Sequence, residues 1–218
     1  MALPGRTERR DDVYEACLEN VVRSLGLDVA PEADREDLRA WGHVVRAAIR
    51  DACRRGIVLS EESFDVLLRA AVHDPDPSFN RWFVEPALNA FGRRRVRIAL
   101  LGYLRAGTDL ERAGAARAWY WSDLPLRMPV VRAESGRATG QAEPDDGSAV
   151  VADWNEAALR EFVSNEHVDV RRCILPGLSL RKSAYPPELH TLVDTATGIA
   201  RSHPDDYIRH RVEHQVGD

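Results

Sequence analysis

Between its punctuation marks, this chain spaces apolar residues three and four apart, the period of a helix, and shows little of the alternation that marks a strand. Val13, Cys17, Val21 and Leu25 form one stripe before Gly26. Leu38, Trp41, Val45, Ile49 and Ala52 form a second between Asp34/Asp37 and Gly56. Ser60, followed by Glu61 and Glu62, opens a third, where carboxylates meet the positive end of a helix dipole, and its inner face is Phe64, Leu67, Leu68, Ala71 and Val72. The run H73-D-P-D-P77 breaks the pattern. Ser78 opens a segment carrying Phe79, Trp82 and Phe83, Pro86 is expected to start a new turn, and Gly92 stops it. Arg93 to Ala106 is a further helix, and Thr108 with Glu111 forms a capping box in front of the helix that runs to Trp121.

Residues 122–149 differ in kind, being rich in Pro, Gly, Ser and charge without periodicity. The expectation is a long loop, disordered over 133–148, with Pro125 to Val131 anchored on the surface. Helices resume at Asp153. Asp169 is expected to cap a helix from Val170 to Leu180, kinked at Pro176. Pro186 and Pro187 mark one more helix start, and Pro204 opens the last. Val130–Val131 and Val150–Val151 are the two weak strand candidates.

Composition limits the function classes. The net charge is −5. Residues 1–121 carry equal numbers of basic and acidic side chains, so the excess acid lies in 122–218. A chain that follows a nucleic-acid backbone would normally be basic overall. The acidic second half points instead to a protein partner of basic character. Cys17, Cys53 and Cys173 are far apart, as small buried side chains rather than a disulfide frame or zinc knuckle would be. The charged opening, MALPGRTERRDD, predicts no secretory leader and a cytoplasmic location. No apolar run is long enough for a membrane span.

Two stretches align without a gap at an offset of 74, or two units of 37: V96-R-I-A-L-L-G-Y-L104 over V170-R-R-C-I-L-P-G-L178. D109-L-E-R-A-G-A-A-R-A-W119 has the same logic of Asp, then Arg, then small residues. The D-x-x-R-x-x-A-A-x-A-W form and D169-V-R-R-C-I-L resemble HEAT-like repeats, helix pairs stacked into a superhelix. That resemblance implies an all-α fold, a HEAT-like α-α superhelix of about nine to ten helices. It covers about 79–121 and 153–216. The expected organisation is one domain over 1–218. In it, 1–76 is an N-terminal helical cap or degenerate repeats, 77–121 and 153–218 are HEAT-like pairs, and 122–149 is the loop.

Three sets of residues carry chemistry worth weighing. Trp119 and Trp121 lie about 200° apart on a helix, so both cannot face one core. Either the helix ends before Trp121 or a ring is offered to the loop or to a partner. With Arg112 and Arg117 they make the candidate partner-binding patch. Arg93, Arg94 and Arg97 are the alternative, a nucleic-acid-binding face of the sort some HEAT-like DNA glycosylases use. His210 and His214, four apart with Glu213 between them, have the spacing of a zinc-hydrolase helix, with His203, Asp205 or Asp206 as third ligand. The bland alternative there is a solvated helix face. The expectation is a non-enzymatic protein-binding scaffold, without cofactor or metal.

Overall fold

The computed structural model describes residues 11–29, 37–76, 78–129, 131–134 and 148–216. Ten α-helices run through them: α1 Asp11–Ser24, α2 Leu38–Arg54, α3 Glu61–His73, α4 Arg81–Phe91, α5 Arg93–Ala106, α6 Asp109–Asp123, α7 Ser148–Ser164, α8 Val168–Ile174, α9 His190–Ser202 and α10 Asp206–Val216. Two residue pairs, β1 Val58–Leu59 and β2 Arg132–Ala133, form one short parallel bridge. The fold is all-α.

The helices pack in two rows. In one, α1 touches α3, α3 touches α6, α6 touches α8, and α8 touches α10. In the other, α2 touches α4, α4 touches α5, α5 touches α7, and α7 touches α9. The rows are joined face to face, most closely where α3 meets α4 and α5 meets α6. The apolar core runs between them, from Tyr14, Trp41 and Ile49 through Phe83, Leu100 and Leu104 to Phe162, Ile174 and Val212. The chain changes frame once. Gly92, at φ 85°, turns α4 straight into α5 within the same row. A side chain with a Cβ is strained at that φ, so glycine stands there.

Several helix ends follow from local chemistry. The Asp37 carboxylate accepts from the backbone N–H of Arg39 and Ala40 and starts α2. Thr108 and Glu111 form the reciprocal capping box of α6. Ser60 stands at the N-cap of α3 without a side-chain cap bond, its Oγ instead 3.0 Å from Ser63 Oγ.

Other expectations are corrected. Pro86 lies inside α4, which Asn80 begins. Pro176 ends α8 rather than kinking it, because the chain tightens into a 3₁₀ turn over Leu175–Gly177. His167, not Asp169, caps α8: its Nδ1 accepts the Asp169 N–H, and Asp169 lies buried in the first turn. Val150 and Val151 belong to α7, which begins at Ser148. The offset of 74 does not mark a structural unit, since it lays α5 over α8, which stand in opposite rows. The Val, Leu/Ile and small-residue matches are those expected of two helices that each bury an apolar face.

Between α6 and α7, residues 135–147 lie outside the described set, and with them most of the segment expected to be disordered. What precedes them is fastened down. Met128 N–H donates to buried Glu85, Asn89 donates to Pro129 O, and Ala133 pairs alongside Leu59. Met128, Val131 and Ala133 are buried against α4 and β1.

Candidate functional site

The H-D-P-D-P break is the point at which four helices are tied together. Asp74, the C-cap of α3, is fully buried. Its carboxylate takes two bonds from the Arg46 Nη2 of α2, at 2.6 and 2.7 Å, and one from Nε at 3.2 Å. Tyr14 of α1 accepts from the same guanidinium at 2.8 Å. Arg117 of α6 reaches the other side of the turn and donates to the carbonyls of Asp74 and Pro75. Burial pushes the Asp74 carboxyl up, and the Arg46 guanidinium, the Asp76 N–H and Arg117 work against it. Burial, then the Asp74 charge, raises the Tyr14 phenol well above its ordinary value, so it stays protonated. A buried pair of this kind is held by geometry, because each partner left alone would be a desolvated charge.

The same turn fixes an aromatic surface. Asn80, buried at the start of α4, bonds back to Ala71 O through its amide nitrogen. Its Oδ1 accepts the Trp121 indole N–H at 2.6 Å. Trp121 is thereby locked at the edge of the core, partly exposed. The Arg81 guanidinium lies 4.7 Å from the Trp82 ring and 5.7 Å from the Trp121 ring. Arg50 approaches Trp82 from α2 at 5.9 Å, and Tyr120 meets Trp121 edge-on. Arg50, Arg81, Trp82, Tyr120 and Trp121 are all partly exposed. Among the described residues, Arg81 has two indole neighbours and no carboxylate partner. A guanidinium stacked on indoles keeps its N–H edge free for an acceptor while the rings orient it.

This surface overlaps the sequence-derived patch at one residue, Trp121. Arg117 is fully buried and serves the α3 terminus, and Trp119 is buried against Trp154 of α7, the rings stacked 4.0 Å apart and nearly parallel. The two tryptophans do point opposite ways, as helix geometry requires, but α6 has neighbours on both sides, so each ring finds a different one. Arg112 pairs with Asp109 and Glu161 at the α6–α7 contact, where Asn165 joins the same carboxylates. Arg117 and Trp119 are therefore buried rather than displayed on the surface. Arg50, Arg81 and Trp82 are the ones the sequence reading missed. For Arg81 and Trp82 the signal was the run S78-F-N-R-W-F83, with aromatics three and four apart around an arginine; Arg50 lies outside it, on α2.

The alternative basic face does not assemble. Arg97 is buried, bonded to Ser122 and paired with Asp123, and lies over Trp119. Arg93 donates to Leu124 O, and its pKa is lowered by burial and by Arg97, with Asp123 opposing. Arg94 is exposed.

On α10, His210, Glu213 and His214 are exposed on the outer face. None of the expected third ligands is turned toward the pair. His203 is buried, its Nδ1 accepting the Asp205 N–H. Asp205 accepts from the Ile208 N–H, and Asp206 pairs with Arg209. Among the described residues no group of three or more His, Cys, Asp or Glu side chains converges as a metal site. The three cysteines are buried. No helix among the described residues is long and apolar enough to cross a membrane.

Comparison with family models, with curated proteins and with solved structures finds no match for this chain.

Proposed function

We propose that this chain is a non-enzymatic, cytoplasmic scaffold that binds another protein through the arginine–tryptophan surface at the α2–α4–α6 edge. The two-row stack is compatible with HEAT-like pairs apart from the α4–α5 step, and such stacks expose large ordered surfaces along their helices. One observation carries the reading: Arg81 is stacked beside two partly exposed indoles, with its N–H edge unclaimed by any carboxylate of the described residues. Trp, Tyr and Arg dominate the energetic centres of protein interfaces. Asn80, buried beneath, fixes the Trp121 ring in advance and so lowers the ordering cost of docking. The surface is cationic, so it selects a partner segment that presents carboxylates. The basic partner expected from the acidic second half would need a different face.

The test is affinity capture with the wild type, Arg81→Glu, Trp82→Ala and a control, Arg160→Glu, on α7. All four are first matched for helicity and melting temperature. A protein held by wild type and control, with affinity reduced about 30-fold or more in the two surface variants, supports the reading. Nucleic acid captured with the same variant dependence replaces it with a single-strand-binding surface, on which bases would stack on the indoles. A protein bound equally by all four removes this surface from the function.

A further inference from the structure

Ile208 and Val212 bury one side of α10, and the Gln215 amide donates to Leu175 O at 2.9 Å, pinning the helix to the turn after α8. The opposite side carries His210 and His214. Their Nε2 atoms face each other at 3.2 Å, with the rings perpendicular and their centroids 4.6 Å apart. Glu213 stands behind the pair, one carboxylate oxygen 3.9 Å from His210 Nδ1.

Two imidazole nitrogens at this separation meet in one of two ways. One tautomer donates a hydrogen bond to the other ring, or both lone pairs converge on a cation. A zinc ion with Zn–N bonds of 2.0–2.1 Å and tetrahedral angles places two nitrogens about 3.3 Å apart. A square-planar copper site places adjacent nitrogens at about 2.8–2.9 Å. The observed separation matches the tetrahedral bite. At 3.9 Å the carboxylate is beyond hydrogen-bond distance of Nδ1 and contributes a negative charge beside the pair.

We propose that His210 and His214 are a bidentate site for a tetrahedral divalent transition ion, zinc by geometry. Glu213 adds a nearby negative charge that favours a cation there, and water fills the remaining positions. The site is independent of the arginine–tryptophan surface. It is a binding site on an exposed helix face and needs none of His203, Asp205 or Asp206.

The experiment is calorimetric titration of the full chain with zinc chloride at pH 7.5. It compares the wild type with His210→Gln, His214→Gln, the double variant and Glu213→Gln. All three positions are exposed, so the variants keep the wild-type melting temperature in metal-free buffer. The expected result is one dominant site. Glu213→Gln, which removes only the neighbouring charge, weakens it less than the loss of either histidine. Each single histidine variant weakens it further, and the double variant abolishes it. A stoichiometry of one zinc per two chains, with the same losses, also supports the pair and assigns the open positions to a second copy's histidines. Equal affinity in the wild type and the double variant overturns the proposal, as does the absence of binding heat in the wild type. In either case the two rings are a hydrogen-bonded pair.

Discussion

Asp74 has both carboxylate oxygens committed to Arg46 in a site without solvent. Removing one member of such a pair leaves the other charged and desolvated. Asp74→Ala is therefore expected to cost about 3–5 kcal/mol, read as a lowered urea midpoint. Arg46→Met with Asp74→Leu recovers part of that loss, because neither charge then remains. A cost below about 1 kcal/mol for Asp74→Ala contradicts the assignment of the pair as the tie between α2 and α3. The sequence marks H-D-P-D-P as a break, which the structure bears out, with no sign that its first aspartate is the most enclosed acid among the described residues of the N-terminal half. The partners are 28 residues upstream for Arg46 and 43 downstream for Arg117. Charge type at one position says nothing about a partner so distant. Local pairs were readable by contrast: Thr108 with Glu111 and Asp37 with its own following N–H groups complete their bonds within three residues.

At the scale of the element, α6 owes its place to a glycine. A Cβ built on Gly114 would stand 1.9 Å from the Val72 carbonyl oxygen, in the last turn of α3. Backbone cannot yield as a side-chain tip can. One turn later on the same face, Arg117 bonds the carbonyls that end α3. Gly114 and Arg117 thus act together, the first allowing the approach and the second satisfying the terminal carbonyls it reaches. Gly114→Ala is expected to destabilise by about 3 kcal/mol, the upper end of overpacking costs, although alanine is the better helix former by about 1 kcal/mol. Melting temperature should fall by roughly 6–12 °C for a chain of this size. A rise would mean that α3 and α6 sit further apart. The A-G-A-A stretch was legible as small residues permitting close helices, but not which of them touches backbone. Pro176 shows the opposite limit. Its breaking power was legible, and whether the chain would bend or stop depended on the 3₁₀ turn that Leu175 and Leu178 bury against α10 and its neighbours.

For the whole molecule, each helix packs against neighbours in its own row and, for most, against the facing row as well. The α1–α6 half is cross-tied by the Asp74 hub. The α9–α10 end depends on a different residue, His203, buried at the turn between the two helices. Its pKa is lowered by burial, then by Arg171 and Arg209, with Asp205 opposing. Its neutral Nδ1 accepts the Asp205 N–H, while its backbone carbonyl accepts from Arg209. A histidine whose folded pKa is depressed stabilises the fold fully above its unfolded value of about 6.5. That contribution is lost as pH falls below 6.5 through the folded pKa, since the imidazolium can no longer accept the bond and faces two arginines. Glu111, by contrast, is pushed up by burial yet held below its ordinary value by Thr108, His73 and Arg69, so its contribution is lost as pH falls from the ordinary glutamate value through the lower folded one. Urea unfolding at pH 7.5 and pH 5.0 separates the two. The wild type should lose stability over this interval, and His203→Asn, which keeps a side-chain acceptor for the Asp205 N–H but does not titrate, should lose less. If both fall equally, the acid sensitivity lies elsewhere and His203 is not what closes the α9–α10 turn.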